Sequence, residues 1–468
     1  MLSVSFMGGQ GLETSGVPWS SSTVSVSFLG GQVLEVPVRP GAVTKDLRLA
    51  VAAARGVEPQ QVRLVKDGET LMDHDDIPAD ATAESFIRAL IPRAPRNWYL
   101  HPRYTLRTFI GPGAYSSVCE AVDTFTGLPV AIKRIRNIFD DLADANLILR
   151  ELVMLKALEH DCVVRLRDAF APPPSDALHE AGVELNEVYV VMELCDSDMR
   201  ALIKTDVELS VEHVRLLTYN LLRGLKYLHS AGVCHGDLKP ANCLVNQDCS
   251  VKLADMDLSC VEREQAGEMP SRHNVNGSAT IFHRQINGHV VGCCYTAPEI
   301  ILPLTYTWAA DVWSTGCILA ELLQLLPGGP PVMERAPLFP RTRNPLGLIF
   351  DVLGTPSDAM LARISRADAR SYVETFATRR GEGFQSRFEY VGQDTFDLLS
   401  KLVRLDPEER ITIDDALNHH FLASCRNVTL ETVATSNINL VLEQANGFSE
   451  DHLSRHFIDH IRSIQGGA

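Results

Sequence analysis

Asp237, Lys239, Asn242 and Asp255 all fall within the stretch "VCHGDLKPANCLVNQDCSVKLADMDLS" (233–259). A carboxylate, an ammonium and an amide lie close together in "DLKPAN", and a second carboxylate follows a short apolar strand. These are the groups that phosphoryl transfer uses. Asp237 sits where a base would accept the proton of an attacking hydroxyl, and Lys239 where a cation would stabilise the moving phosphoryl group. Asn242 and Asp255 supply hard oxygen donors suited to Mg2+.

Upstream residues would complete such a site. Gly111 and Gly113 in "FIGPGAYSSVCEA" (109–121) allow backbone N–H groups to approach phosphate oxygens closely. Ser116 occupies the third glycine position, so this loop alone is a weak signal. It gains force from "PVAIKRI", where Lys133 ends an apolar strand within reach of nucleotide α- and β-phosphates. In "ANLILRELVMLKAL", Leu147, Glu151 and Leu155 recur at i, i+4 and i+8, which puts a carboxylate on the apolar stripe of a helix. An unpaired carboxylate there would be costly, and Lys133 is its natural partner. The alternative is a surface glutamate on a slightly rotated helix.

The composition suits a soluble globular chain. Of 468 residues, 45% are hydrophobic and 22% charged, enough for two or three domains. Lys and Arg number 43 against 59 Asp and Glu, a net charge of −16. That balance argues against binding nucleic acid or an anionic membrane through overall charge. No apolar run approaches a membrane span, and "MLSVSFMGGQGLETS" lacks the basic start and long apolar run of a secretory signal. The 11 cysteines fit no zinc or redox spacing, so reduced thiols in a cytoplasmic or nuclear protein are expected.

Residues 1–22 form a leader in which "SVSFMGGQGLE" anticipates "SVSFLGGQVLE" further on; two copies do not make a repeat architecture. From residue 23 to 92 the pattern changes. Val24, Val26 and Phe28 alternate, "GG" turns the chain, and Leu34, Val36 and Val38 alternate again, which predicts a hairpin. A helix follows with Leu47, Ala50, Val51 and Ala54 on one face and Gly56 after it. "QQVRLVKDGETL" then reads as strand, Asp67-Gly68 turn, strand. This order and that stretch resemble ubiquitin. No Gly-Gly end follows, so use as a conjugated modifier is not implied. A docking unit and a plain folded appendage are the two readings.

After a Pro-containing linker, "YTAPEI", "DVWSTGCILAELL" and "LDPEERITIDDALNHHFL" predict a helical lobe. There Glu299 and Arg410 should form a buried ion pair, and Asp311 should brace the catalytic loop. With these motifs in order, residues 98–425 resemble a eukaryotic protein kinase of the Ser/Thr type. "TGLPVAIKRI", "LLRGLKYLHSAGV", "LFP" and "LGTPSD" are similar to the MAP kinase family. So is the tail, 426–468, which in that family packs back on the lobes. The resemblance implies a two-lobed α+β fold with an antiparallel β N-lobe and a mainly α C-lobe, following the β-grasp domain. It also implies ATP, Mg2+ and protein substrates, no nucleic-acid or membrane partner, a monomer, and a partner for the ubiquitin-like domain if that domain docks. Catalytic roles fall on Lys133, Glu151, Asp237 and Lys239. Nucleotide contacts fall on Ile110, Gly111, Gly113, Val118, Ala131, Lys133, Met192, Glu193, Cys195, Asn242, Leu244 and Asp255, and metal contacts on Asn242 and Asp255.

The sequence departs from that family at several points. Gly236 replaces the Arg that grips a phosphorylated activation segment, and Asn287, Gly288 and His289 replace the Thr-x-Tyr phosphorylation motif. Ser278 and Thr280 remain as candidate phosphosites. Met256 replaces Phe and suits the same apolar slot. Asp257 replaces Gly, and a second carboxylate there would either repel Asp255 or add to the metal site. Cys293, Cys294 and Thr296 replace the Arg, Trp and last Arg of the family's "RWYR" pattern, of which the last Arg helps shape the proline pocket, and no acidic pair follows "FLASC". The expected function is therefore an active Ser/Thr kinase without Thr-x-Tyr control. The alternative is a pseudokinase that uses its fold and ubiquitin-like domain for binding.

Overall fold

Alternation in the first hundred residues produces strands where it is strictest. In this computed structural model the residues described are 98–99, 101–112, 116–172, 185–256, 260–261, 294–302, 307–364, 367–438 and 449–466, together with five N-terminal strands. Strand β1 (Ser22–Phe28) pairs antiparallel with β2 (Val33–Val38), setting Val24 opposite Val36 and Val26 opposite Leu34. Strands β3 (Arg63–Lys66) and β4 (Glu69–Thr70) flank Asp67-Gly68, with Lys66 opposite Glu69. Both expected hairpins are formed. Strand β5 (Ile87–Leu90) runs parallel to β1 and antiparallel to β3, so the sheet order is β2-β1-β5-β3-β4. The helix expected between residues 43 and 56 lies outside the described residues, as do Gly113, Asp257, Ser278, Thr280, Asn287–His289 and Cys293.

A second sheet has the order β6-β7-β8-β10-β9, from β6 (Tyr104–Pro112), β7 (Ser116–Asp123), β8 (Pro129–Arg136), β9 (Leu166–Phe170) and β10 (Glu187–Glu193). Gly127, at φ +72°, takes the left-handed turn between β7 and β8 that a side chain would resist. Helix α1 (Leu142–Ala157) buries Ala145, Leu149, Leu152 and Leu155, and Glu151 lies on the same buried side at 4% exposure. The surface alternative for Glu151 is excluded.

The helical lobe is organised by α2 (Val211–Ser230) and α3 (Ala309–Leu323), which pack on each other. Ser210 and His213 close a reciprocal capping box at the start of α2. On this lobe lie three short strands, β11 (Ser197–Asp198), β13 (Cys243–Val245) and β14 (Val251–Leu253), and the pair β12 (Val233–Cys234) with β15 (Cys260–Val261). Arg410 crosses the lobe to Glu299. Its two terminal nitrogens lie 2.6 and 3.0 Å from the carboxylate, further N–H groups reach Ala309 and Arg404 carbonyls, and neither side chain is exposed. The expected buried pair is present, with the guanidinium's donors used.

The last helix, α4 (Glu450–Gln465), packs on α1 and β9. Leu453, Phe457, Ile461 and Ile464 form its buried stripe. Its end is tied down by Gln465, whose Nε2 donates to the Ala169 carbonyl at 3.0 Å, and by Lys156, which donates to Ser463 at 2.6 Å. Just after residue 425 the chain is pinned to α2. There Glu431, its side chain 1% exposed, accepts from Arg426 at 2.6 Å and faces Lys226 at 3.4 Å.

Two outcomes follow from the buried charges. Arg410→Met leaves Glu299 uncompensated, so the denaturation free energy should fall by about 3–5 kcal/mol; an unmoved denaturant midpoint would show the pair to be dispensable. Burial pushes the Glu321 carboxyl up to about 7 against a 2.6 Å hydrogen bond donated by the Tyr295 hydroxyl. A carboxyl raised on folding stabilises fully below its unfolded value and loses that contribution as pH climbs through the folded one. Glu321→Gln should therefore flatten the fall of Tm between about pH 5 and 8; an equally steep fall in the variant would assign it to another group.

Candidate active site

Lys133 lies within β8, which runs on to Arg136, rather than at the strand's end as expected. It stands opposite Val118 on β7 and Val190 on β10, so its ammonium is carried by the middle of the sheet. The Nζ lies 2.9 and 3.0 Å from the two Glu151 oxygens and 2.9 Å from Asp255 Oδ1. The expected partner is present, and Asp255 joins it. Burial by itself would lower the Lys133 ammonium, but Glu151 and Asp255 together hold it well above lysine's ordinary value. Burial likewise opposes charge on Asp255, yet Lys133 outweighs it and the carboxyl sits below its usual range. Asp255 takes φ +68°, a left-handed geometry that Asp tolerates better than most residues. Met256 behind it is fully buried in the core, in the apolar slot expected for it.

The loop after β12 carries the other groups. Asp237 Oδ2 lies 2.6 Å from Lys239 Nζ, and Asn242 donates through Nδ2 to the Asp237 carbonyl at 2.8 Å. These donors fix Asn242's rotamer and leave its Oδ1 as an acceptor. Beneath the loop, Asp311 on α3 is 1% exposed and accepts from the backbone N–H groups of His235 and Gly236, both at 2.9 Å. It braces the loop as expected. Two partners were not legible beforehand: His229 Nε2 at 2.9 Å and Cys234 Sγ at 3.2 Å. Burial opposes the Asp311 charge, but the His229 hydrogen bond and the loop N–H groups draw its carboxyl down to about 2. His229 is 82 residues from Asp311, and no spacing in the sequence links them.

The expected nucleotide contacts divide. Val118, Met192 and Leu244 are half-buried apolar side chains, and Ala131 is 9% exposed opposite Met192. Partly covered apolar groups of this kind suit a flat base. Ile110 is exposed on β6, and Gly111 follows it on the same strand. Cys195 follows β10, its thiol pushed up to about 12 by burial and so unreactive as a nucleophile. Glu193 differs from a simple ligand contact. Its carboxylate accepts from the Arg165 N–H at 2.7 Å and pairs with Lys252 at 3.1 Å, clamping β10 to β14.

Among the described residues no group of three or more His, Cys, Asp or Glu could hold a metal ion by itself. Asn242 and Asp255 offer two hard oxygens, with Asp255 38% exposed. That set fits Mg2+, which commonly takes one or two carboxylates and completes its shell with phosphates and water.

Residues 104–422 match the protein kinase domain. The chain is 38% identical to mitogen-activated protein kinase 4 of Arabidopsis thaliana over 338 residues, 72% of this chain and 81% of that protein. The chain belongs to the MAP kinase family of serine/threonine protein kinases. Mitogen-activated protein kinase 1 of Oryza sativa subsp. japonica is 37% identical over 347 residues, covering 74% of this chain and 78% of its own. Mitogen-activated protein kinase 4a of Physcomitrium patens is 36% identical over 347 residues, covering 74% and 83%.

In this kinase Lys133→Met leaves two carboxylates facing each other without their cation, and Asp255→Asn removes a charge from the site. Each should reduce peptide phosphorylation at least about a hundredfold, the size of losing one preorganised electrostatic contact. Turnover within about threefold of wild type in either variant would remove that residue from the reaction.

Proposed function

We propose that this kinase is catalytically competent without activation-segment phosphorylation, transferring the γ-phosphoryl group of ATP to Ser and Thr hydroxyls of proteins. The observation that carries the reading is the joined state of the site: Lys133 already bridges Glu151 and Asp255, while Asp237, Lys239 and Asn242 are assembled beside each other. Asp237 accepts the proton of the attacking hydroxyl, whose oxygen bonds to the γ-phosphorus as the bond to ADP breaks. Lys239 neutralises charge on the moving group, and Lys133 holds the α- and β-phosphates in line. Mg2+ bound by Asn242 and Asp255 would offset negative charge on the phosphate oxygens.

The absence of an Arg at 236 and of Thr-x-Tyr at 287–289 supports this mode of control. With fewer cations to meet it, a phosphate on the segment gains less by ordering it. Thr296 and the cysteines around it support a substrate preference that does not require proline. Glu431, turned inward to Arg426 and Lys226, leaves the surface after residue 425 without the acidic pair that would attract basic docking peptides. For the N-terminal sheet, the order β2-β1-β5-β3-β4 with parallel β1 and β5 supports a ubiquitin-like β-grasp. We assign it a docking role.

The assay is Mg2+-ATP turnover on a Ser/Thr peptide, wild type beside Asp237→Ala, before and after phosphatase treatment. Turnover is expected in the wild type, loss in Asp237→Ala, and less than a tenfold change on dephosphorylation, about 1.4 kcal/mol in barrier. A larger loss traced to Ser278 or Thr280 defeats the proposed control. ATP binding without turnover makes the chain a pseudokinase.

A further inference from the structure

We infer that Gly236 is a positioning residue for Asp237, acting through its backbone rather than through a missing side chain. The inference rests on the kinase reading above and concerns how its catalytic loop is set. Gly236 adopts φ +74°, in the left-handed region where any Cβ is strained. This turn lets two successive N–H groups, from His235 and Gly236, converge on the two oxygens of one carboxylate, Asp311. The carboxylate cannot shift to suit another geometry, because His229 at 2.9 Å and Cys234 at 3.2 Å fix one oxygen within a buried site. The chain must therefore turn at residue 236, and the next residue is Asp237. The dihedral at 236 decides where that carboxylate goes.

The site holds a second left-handed residue, Asp255 at φ +68°, whose side chain is held by Lys133 and offsets the strain. At 236 no side-chain contact is available to do so, and glycine removes the strain instead. An Arg in this place would carry the strain and recover it by gripping a phosphate. Glycine gives up both together, so the loop reaches its working shape before any modification. Loss of the phosphate receiver and relief of the turn are one substitution.

The test uses the full chain with Gly236→Ala, Gly236→Asn and Gly236→Arg, measuring kcat and KM for ATP. Amide hydrogen exchange over residues 233–239 is followed in parallel. Alanine should lower kcat roughly tenfold, about 1.4 kcal/mol, with KM for ATP unchanged. Asparagine, which visits the left-handed region more readily, should recover part of that loss. Exchange at 233–239 should rise in the alanine variant, rise less in the asparagine variant, and stay unchanged in α1. Should the alanine variant fail to fold, the asparagine and arginine variants give the same comparison, with arginine the more impaired. An alanine kcat equal to wild type, an asparagine variant no better than alanine or arginine, or an arginine variant as active as wild type overturns the proposal. If the wild type binds ATP without turnover, the functional reading fails separately. Exchange then decides this one alone: unchanged protection at 233–239 in the alanine or arginine variant overturns it.

Discussion

A single ammonium group joins the parts of this site. Lys133 comes from the sheet, Glu151 from α1 and Asp255 from the turn after β14, and the three meet within 3.0 Å. Bringing these charges out of water is expensive, and the geometry repays the cost only while all three are in place. The interaction therefore acts as a test of arrangement. Moving α1 outward strands Glu151, and moving the turn strands Asp255. The tail contributes to the same condition, because α4 packs on α1 and is tied at its end to the β9 carbonyl of Ala169. A segment far along the chain thus supports the helix that carries Glu151.

The second fixed point is the buried carboxylate of Asp311. It lies on a helix that is almost wholly interior, and four donors surround it: two backbone N–H groups, His229 and Cys234. Such a carboxylate is costly without partners and rigid with them. The loop that carries Asp237 is consequently referenced to the core of the helical lobe. Glu299 and Arg410 play a similar part nearby, anchoring the short helix Pro298–Ile301 to the lobe's interior.

These anchors bear on control. In a kinase whose loop depends on a phosphate, the charge at residue 236 is part of the switch. Here the loop is held from below, and the Arg at 236 and the Thr-x-Tyr motif are absent from the sequence together. Under the proposed mode of control, regulation would fall to elements outside the reaction centre, the N-terminal sheet and the C-terminal tail. Both are built from segments with clear local patterning of their own.

Much was legible in the sequence for a simple reason: local signals sat at fixed offsets. Alternation pointed to the first N-terminal hairpin and the Asp67-Gly68 turn to the second, "DLKPAN" supplied the candidate reacting groups, and the apolar stripe around Glu151 called for a buried cation, with Lys133 its natural partner. The expected pairing of Glu299 and Arg410 went with the motifs of the helical lobe, and the structure buries both side chains fully. What the sequence could not give were contacts between residues distant in the chain with no pattern of their own. Cys234 and His229 look like an apolar strand residue and a helix-end residue until α3 brings Asp311 between them. Glu193 reads as a residue beside the nucleotide, and only the packing of β10 near β14 turns its carboxylate to Lys252. The left-handed turn at Gly236 belongs to the same class. Sequence establishes that a glycine is there, but the positions of two N–H groups around one buried carboxylate decide why the chain must bend at that residue.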